Sequence, residues 1–202
     1  MNQQSDIYLF EAGIVSEDMQ PYCGVDEAGR GPLAGPVYAA AVILGPDTKI
    51  LGLNDSKKIS PKKRDLLYEE ILKSAAAVSV GVSDVSEIEE LNILAATFLA
   101  MNRAIEGLNP KAKISLIDGN QGKGILTKHI CITGGDALCA SIAAASIVAK
   151  VQRDRYMIKL AEKYPMYGFE KHKGYGTAAH YAAIKEHGAC KHHRMSFLKN
   201  LH

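Results

Sequence analysis

The sequence predicts an α/β fold, a central sheet flanked by helices with a helical C-terminal part. Up to about residue 135, short apolar or alternating stretches interleave with segments of helical apolar spacing. Beyond that point strand signals cease. At 202 residues the chain is long enough for one well-buried domain and too short for two full ones. One domain is therefore expected over residues 1–202, with a core over about 20–165 and a helical extension over 166–202.

Taken in order, Tyr22 to Val25 reads as a short buried strand ending at Asp26. After a Gly/Pro-rich turn, Val37 to Leu44 reads as a second strand, and 47–60 as a polar connection. A helix is expected from Pro61, a favoured first helical position, with Ser60 as its cap and Leu67, Ile71 and Leu72 at helical spacing. Val78 to Val85 alternates as a half-buried strand does. Ser86 followed by Glu89 is a capping-box pattern. It leads into a helix with the apolar face Leu91, Leu94, Ala95, Phe98 and Ile105, ended by Gly107 and Pro110. Ile114 to Ile117 and Ile130 to Ile132 read as short strands, the first stopped at Asp118-Gly119. Asp136 is expected to cap a long helix rich in alanine and serine, from Ala137 to about Tyr164, stopped by Pro165. A last helix is expected from Thr177 to His187, closed by Gly188.

Composition excludes several classes. Hydrophobic residues at 47% and charged residues at 23% are ordinary for a globular protein. The longest apolar run, Val37 to Leu44, has eight residues, whereas a membrane span needs about 18. The N-terminus lacks the basic-then-apolar order of a secretory signal, so a cytosolic location is expected. The four cysteines form no C-x-x-C pair, which points to free thiols rather than zinc or disulfides. The net charge of +2 conceals an asymmetry: residues 1–149 hold 13 Lys and Arg against 18 Asp and Glu, and residues 150–202 hold 11 against 4. That is the pattern of a carboxylate-bearing core beside a basic flank suited to a polyanion.

Asp26, Asp118 and Asp136 each end an apolar stretch or begin a helix. In open α/β sheets functional groups collect at strand ends, so three acids from distant parts of the chain can converge there. Clustered carboxylates require a cation. Ligation by oxygen alone suits Mg²⁺ or Mn²⁺. Glu27 adjoins Asp26, and neighbours on a regular strand face opposite sides. Both reach one ion only if the strand bends there; otherwise Glu27 acts through its carbonyl or on a second ion. Gly29-Arg30-Gly31, with Ala34, formally fits G-x-G-x-x-A. That motif must open a helix, and here Pro32, Gly35 and Pro36 precede a strand. The loop after Asp118 likewise lacks the spacing of a Walker phosphate loop. What remains is a loop poor in side chains where backbone can approach a ligand closely, with Arg30 available to phosphate.

The run Gly24-Val-Asp-Glu-Ala-Gly-Arg-Gly-Pro-Leu-Ala-Gly-Pro-Val37 resembles the N-terminal signature of ribonuclease HII, the bacterial type 2 ribonuclease H. Further matches follow in register: Asn54-Asp-Ser-Lys-Lys58, Ile117-Asp-Gly-Asn120, Gly135-Asp-Ala137, Ala145 to Lys150 with Arg153-Asp154, and His172-Lys-Gly-Tyr-Gly-Thr177. The correspondence runs from Tyr22 to Phe197. It implies an RNase H-like fold, a central mixed β-sheet flanked by helices with a helical C-terminal extension. It also implies a metal-dependent endonuclease that cleaves the RNA strand of RNA–DNA hybrids and cuts 5′ of single ribonucleotides in duplex DNA, leaving 5′-phosphate and 3′-hydroxyl ends. The resemblance puts the catalytic, metal-binding acids at Asp26, Glu27, Asp118 and Asp136, and the element that reads the ribose 2′-hydroxyl at Gly29, Arg30 and Gly31. Its sugar-stacking tyrosine falls on Tyr175. Lys57, Lys58, Ser146 and Lys150 are candidate phosphate contacts.

The expected cofactor is a pair of Mg²⁺ or Mn²⁺ ions roughly 4 Å apart, one activating water and the other stabilising the leaving oxygen. Three alternatives stand beside this reading: ribonuclease HIII, another metal-dependent nuclease or transferase on the same fold, and a non-catalytic nucleic-acid-binding module. The segment Cys190 to Phe197 follows the family pattern only loosely. Archaeal relatives carry a tail that binds a sliding clamp; no such peptide is visible here, and a monomer is expected. Adjacent His192 and His193 are expected at the surface, and His172 is not expected to be catalytic.

Overall fold

The structure, a computed structural model, describes residues 3–199. Residues 200–202, part of the stretch where a clamp-binding tail would fall, lie outside it. A five-stranded mixed sheet forms the centre: β1 (Tyr22–Ala28), β2 (Val37–Ile43), β3 (Ala77–Ser83), β4 (Ile114–Asp118) and β5 (His129–Ile132). The order across the sheet is β3-β2-β1-β4-β5. β1, β2 and β3 pair antiparallel, while β4 and β5 continue from β1 in parallel.

One face is covered by α6 (Ala140–Lys163), with α1 (Gln3–Ile14) and α2 (Pro61–Ser74) packed beside it. α3 (Val85–Leu91) and α4 (Ile93–Glu106) cover the other, where Phe98, Met101 and Ile105 meet Val25 and Val37. α5 (Gly135–Leu138) is a single turn ahead of α6. The chain ends with α7 (Phe169–His172) and α8 (Ala178–His187), built on a cluster of Met157, Leu160, Tyr167 and Phe169 at the far end of α6. No described helix is long and apolar enough to cross a membrane, and all four cysteines are free.

α6 lies on β1 with nothing between their backbones. A Cβ added to Gly24 would stand 2.1 Å from the Ser141 carbonyl carbon and 2.2 Å from the Ile142 nitrogen. Ala143, Ala144, Ala145 and Ala149 are fully buried on that helix, so small residues set the spacing, as their density predicts. The N-terminal end of α6 is capped at a distance. The buried Glu11 carboxylate accepts from the Ser141 amide and hydroxyl, both at 2.8 Å, and from Tyr22 at 2.7 Å.

Several boundaries differ from the sequence expectation. α1 was not expected there: Ile7 is buried while Leu9 and Phe10 stay exposed, so the apolar stripe is too thin to register. The capping box is Asp84 with Glu87, not Ser86 with Glu89, because β3 stops two residues early at Ser83. The single expected helix over 86–107 is two, broken at Asn92 with φ +73. Apolar spacing runs unchanged through that point and cannot reveal a reversed dihedral; Asn92 is among the few residue types that tolerate it. Asp136 is not a cap. It sits in the first turn of α5, behind Gly134, and Cys139 turns extended before α6 begins. Ser60 and Gly188 cap α2 and α8 where expected.

Gly24→Val is expected to lower stability by about 3 kcal/mol, the upper end for overpacking a close contact. That corresponds to roughly 6–12 °C in Tm for a chain of this size, read by thermal melting followed by circular dichroism. An unchanged Tm would mean that α6 does not seat on β1 as described.

Candidate active site

The sheet register brings the acids together. Val25 pairs with Ile117 at the last parallel step between β1 and β4. Asp26 and Asp118 are therefore the next residues on adjacent strands. They share the α6 face with their paired predecessors Gly24 and Leu116, since side chains alternate along a strand. Asp136 arrives from the turn after β5, and its backbone N–H donates to Asp118 Oδ1 at 3.4 Å. β1 does not bend between Asp26 and Glu27: Asp26, Glu27 and Ala28 stay in register with Ala40, Ala39 and Tyr38. Glu27 consequently leaves from the opposite face, at the rim, with Arg30 Nη1 at 3.5 Å. Of the two arrangements allowed by the sequence, the straight strand is the one found.

Asp26 is the most constrained of the four. It is 5% exposed, accepts from the Glu27 amide at 2.7 Å, and has the Ser146 hydroxyl of α6 beside it. Burial pushes its pKa well above the usual carboxylate range, with Glu27 and Asp118 adding to the rise. Burial likewise raises Glu27, against the opposing pull of Arg30. It also raises Asp136, together with the Asp118 and Asp55 carboxylates. Burial works against the Lys57 ammonium, yet Asp26, Asp55 and Asp136 outweigh it and hold that pKa above its ordinary value.

These residues fit hard divalent cations. Every donor is a carboxylate oxygen, and at Asp26 burial and two like charges all oppose ionisation, so a cation there relieves a cost. Among the described residues, no three His, Cys, Asp or Glu side chains already stand in a set that holds one ion. Glu27 stands beside Arg30, and Asp136 beside Asp55 and Lys57.

Beside the acids lies a cavity of about 270 Å³ whose lining includes Glu27, Gly29, Arg30, Gly31, Ser56, Lys57, Ser146, Lys150 and Tyr175. Gly29 has φ +103 and is pressed against the Arg153 side chain, so a side chain there would be both strained and crowded. The Gly31 α-carbon faces the Tyr175 ring edge, with an added Cβ at 3.8 Å. The Tyr175 ring is 43% exposed. Arg30 is half-exposed.

The remaining candidates divide. Lys57 reaches the cavity, while Lys58 is exposed outside its lining. Lys150 Nζ is held by Asp154 at 2.7 Å. The Ser146 hydroxyl is buried and donates to Ser56 at 2.9 Å, which tethers the 54–58 loop to α6. His193 is buried, 1% exposed, contrary to the surface position expected for it; His192 is half-buried.

Two arginines were not singled out from sequence. Arg153, 0% exposed, donates to the carbonyls of Pro36, Ala34 and Lys173 at 3.1, 3.2 and 3.0 Å. Arg194, also 0% exposed, donates to those of Gly29, Arg30 and Gly35 at 2.6 to 2.9 Å. Burial, then the neighbouring Arg153 charge, press the Arg194 pKa down to about 9, still high enough to keep it charged. A basic residue near the end of a basic segment carries no local signal of such a role. Asp55 lies within a quoted motif, but only the fold brings it to Asp136.

A family model described as Ribonuclease HII matches residues 23–200. Ribonuclease HII of Burkholderia mallei (strain SAVP1) is 57% identical over 175 residues, covering 87% of this chain and 82% of that protein. Among solved structures, the fold is similar to that in a PCNA:RNase HII complex from Archaeoglobus fulgidus. There the TM-score is 0.74 with 27% identity, over 86% of this chain and 93% of that one. It is also similar to ribonuclease H2 from Pyrococcus horikoshii OT3, with TM-score 0.69 and 26% identity over 89% and 99% of the two chains.

With chelator present, Asp26→Asn is expected to raise Tm at pH 7.5 by several degrees. A raised folded pKa means that stability is lost as pH climbs from the unfolded toward the folded value. The gain should therefore fade as the pH is lowered into the carboxylate range. Added Mg²⁺ should stabilise the unsubstituted protein more than the variant. A variant that melts at or below the parent at pH 7.5 would contradict this account.

Proposed function

This chain belongs to the ribonuclease HII family, hydrolytic nucleases that act on the RNA of RNA–DNA hybrids, and from that we propose that it also cuts on the 5′ side of a single ribonucleotide within duplex DNA. The observation that supports this reading is the shared location of two unlike elements. Asp26 and Asp118 are neighbours on β1 and β4 at one end of the sheet with the α5 turn of Asp136 beside them, and Glu27, next to Asp26, lines one small cavity with the Gly29–Gly31 loop and Tyr175. A hydrolytic centre and a feature able to sense a 2′-hydroxyl, the group that separates RNA from DNA, thus lie side by side.

In this proposal Asp26, Glu27, Asp118 and Asp136 would hold the divalent ions, Glu27 from the rim of the strand and Asp136 from the turn after β5. When bound, a pair of divalent ions supplies an activated water and charge stabilisation at the leaving 3′-oxygen. The chain's own residues do the rest. Burial and the hydrogen bond from the Glu27 amide hold Asp26 in one orientation. Gly29 and Gly31 let backbone approach the ribose without side-chain obstruction, and the half-exposed Arg30, beside Glu27 at 3.5 Å, is placed to turn to phosphate. Lys57 and Lys150 line the path of the backbone phosphates, with Lys58 farther out. Tyr175 offers its ring to the sugar of the following nucleotide, favouring a deoxyribose there. The basic residues 150–202 provide the flank on which a duplex rests.

The test is a duplex of DNA containing one ribonucleotide, incubated with Mg²⁺, Mn²⁺ or chelator. Either ion should give a single cut 5′ of the ribonucleotide with 5′-phosphate and 3′-hydroxyl ends, and chelator should stop it. Asp26→Asn and Asp118→Asn should each lose about 10³-fold or more in kcat, the scale on which a key electrostatic group acts, with hybrid affinity retained. Parent-level cleavage by either variant would refute the assignment of the acids.

A further inference from the structure

The C-terminal dipeptide His193-Arg194 grips both halves of the proposed ribose-reading site at once. All four hydrogen bonds of the Arg194 guanidinium go to carbonyls of the 29–35 loop, and the Phe197 ring lies 5.2 Å from its central carbon. In a trans peptide the C=O and the N–H of the same unit point opposite ways. With the Gly29 and Arg30 carbonyls turned inward onto Arg194, the amides of Arg30 and Gly31 are turned away from it. Neither amide donates to a protein acceptor among the described residues. The backbone joins the two regions as well: Arg194 donates to Leu33 O and Gly35 to His192 O, each at 2.8 Å.

His193 reaches the other half through a chain whose proton positions are dictated by its ends. The Cys190 N–H donates to His193 Nδ1 at 2.9 Å, so the proton of His193 is on Nε2. The Tyr175 carbonyl, 3.0 Å from His180 Nδ1, can only accept, so the proton of His180 is on Nδ1. His193 Nε2–H therefore donates to His180 Nε2 across the 3.1 Å between them. The chain runs from Cys190 through two buried imidazoles to the backbone of Tyr175.

We propose that His193 and Arg194 are positioning residues for ribose discrimination, holding the Gly29–Gly31 amides and the Tyr175 ring at a set separation. The inference rests on the function proposed above. It predicts that loosening the clamp costs the ability to tell ribose from deoxyribose more than it costs affinity for a duplex, because Lys57, Lys58 and Lys150, the lysines proposed as phosphate contacts, lie outside the clamped loop.

The experiment compares binding, in Ca²⁺, of a DNA duplex containing one ribonucleotide with binding of the same duplex made wholly of DNA. Arg194→Lys keeps the charge but loses the fork of donors. It should reduce the preference for the ribonucleotide duplex by about tenfold, with affinity for the all-DNA duplex within about twofold of the parent. His193→Ala, with circular dichroism to verify folding, should reduce the preference by about threefold and carries the test if the arginine variant does not fold. A preference kept in both variants, or an equal loss on both duplexes, would overturn the clamp. Absence of any ribonucleotide preference in the unsubstituted protein would instead overturn the reading of the Gly29–Gly31 loop on which the clamp rests.

Discussion

Contact between α6 and β1, backbone against backbone at Gly24, sets where nearly everything else can stand. No side chain separates the two elements, so the helix runs along the acid-bearing strand at the closest possible distance. Ser146 then falls on Asp26, and one turn later Lys150 reaches the same cavity. Arg153 meets the loop that follows β1, and Met157 carries the C-terminal cluster. One helix thus aligns the buried acid, the glycine loop and the platform for the extension. Its own first turn is held by Glu11, a carboxylate brought from α1.

The electrostatics divide the site into two layers. At and beside the cavity are Glu27 and Asp26, carboxylates whose charge is resisted by burial and by neighbouring acids. Behind the glycine loop are Arg153 and Arg194, both buried and bonded only to carbonyl oxygens. Neither layer is arranged for the greatest stability: buried like charges cost free energy that hydrophobic residues of similar size would not. Under the proposed function, both arrangements have a use when a polyanion and its cations are bound. Perturbed groups of this kind gather at functional sites for that reason.

The C-terminal extension is joined to the site rather than appended to the core. His193 forms a bridge with Ala34, and Arg194 takes the carbonyls of the loop preceding it in the chain by more than 150 residues. The basic character of residues 150–202 was legible from composition, and suggested a surface for nucleic acid. That two of its members are interior, holding a turn, was not legible, because an arginine looks the same in sequence whether it faces water or carbonyl oxygen.

Local chemistry determined what could be read directly. Alternating and continuous apolar runs marked the five strands, Ser60 and Gly188 marked helix ends, and acids at strand ends marked the candidate site. The signature around Gly24 to Val37 carried the family. What local pattern could not encode was settled by contacts between distant segments: the break at Asn92, the separate turn that carries Asp136, and the straight course of β1 that sends Asp26 and Glu27 to opposite faces. The same holds for Asp55 beside Asp136 and for the His193-Arg194 grip. Each depends on a dihedral sign or a partner far along the chain, and hydrophobic periodicity reports only burial along one element at a time.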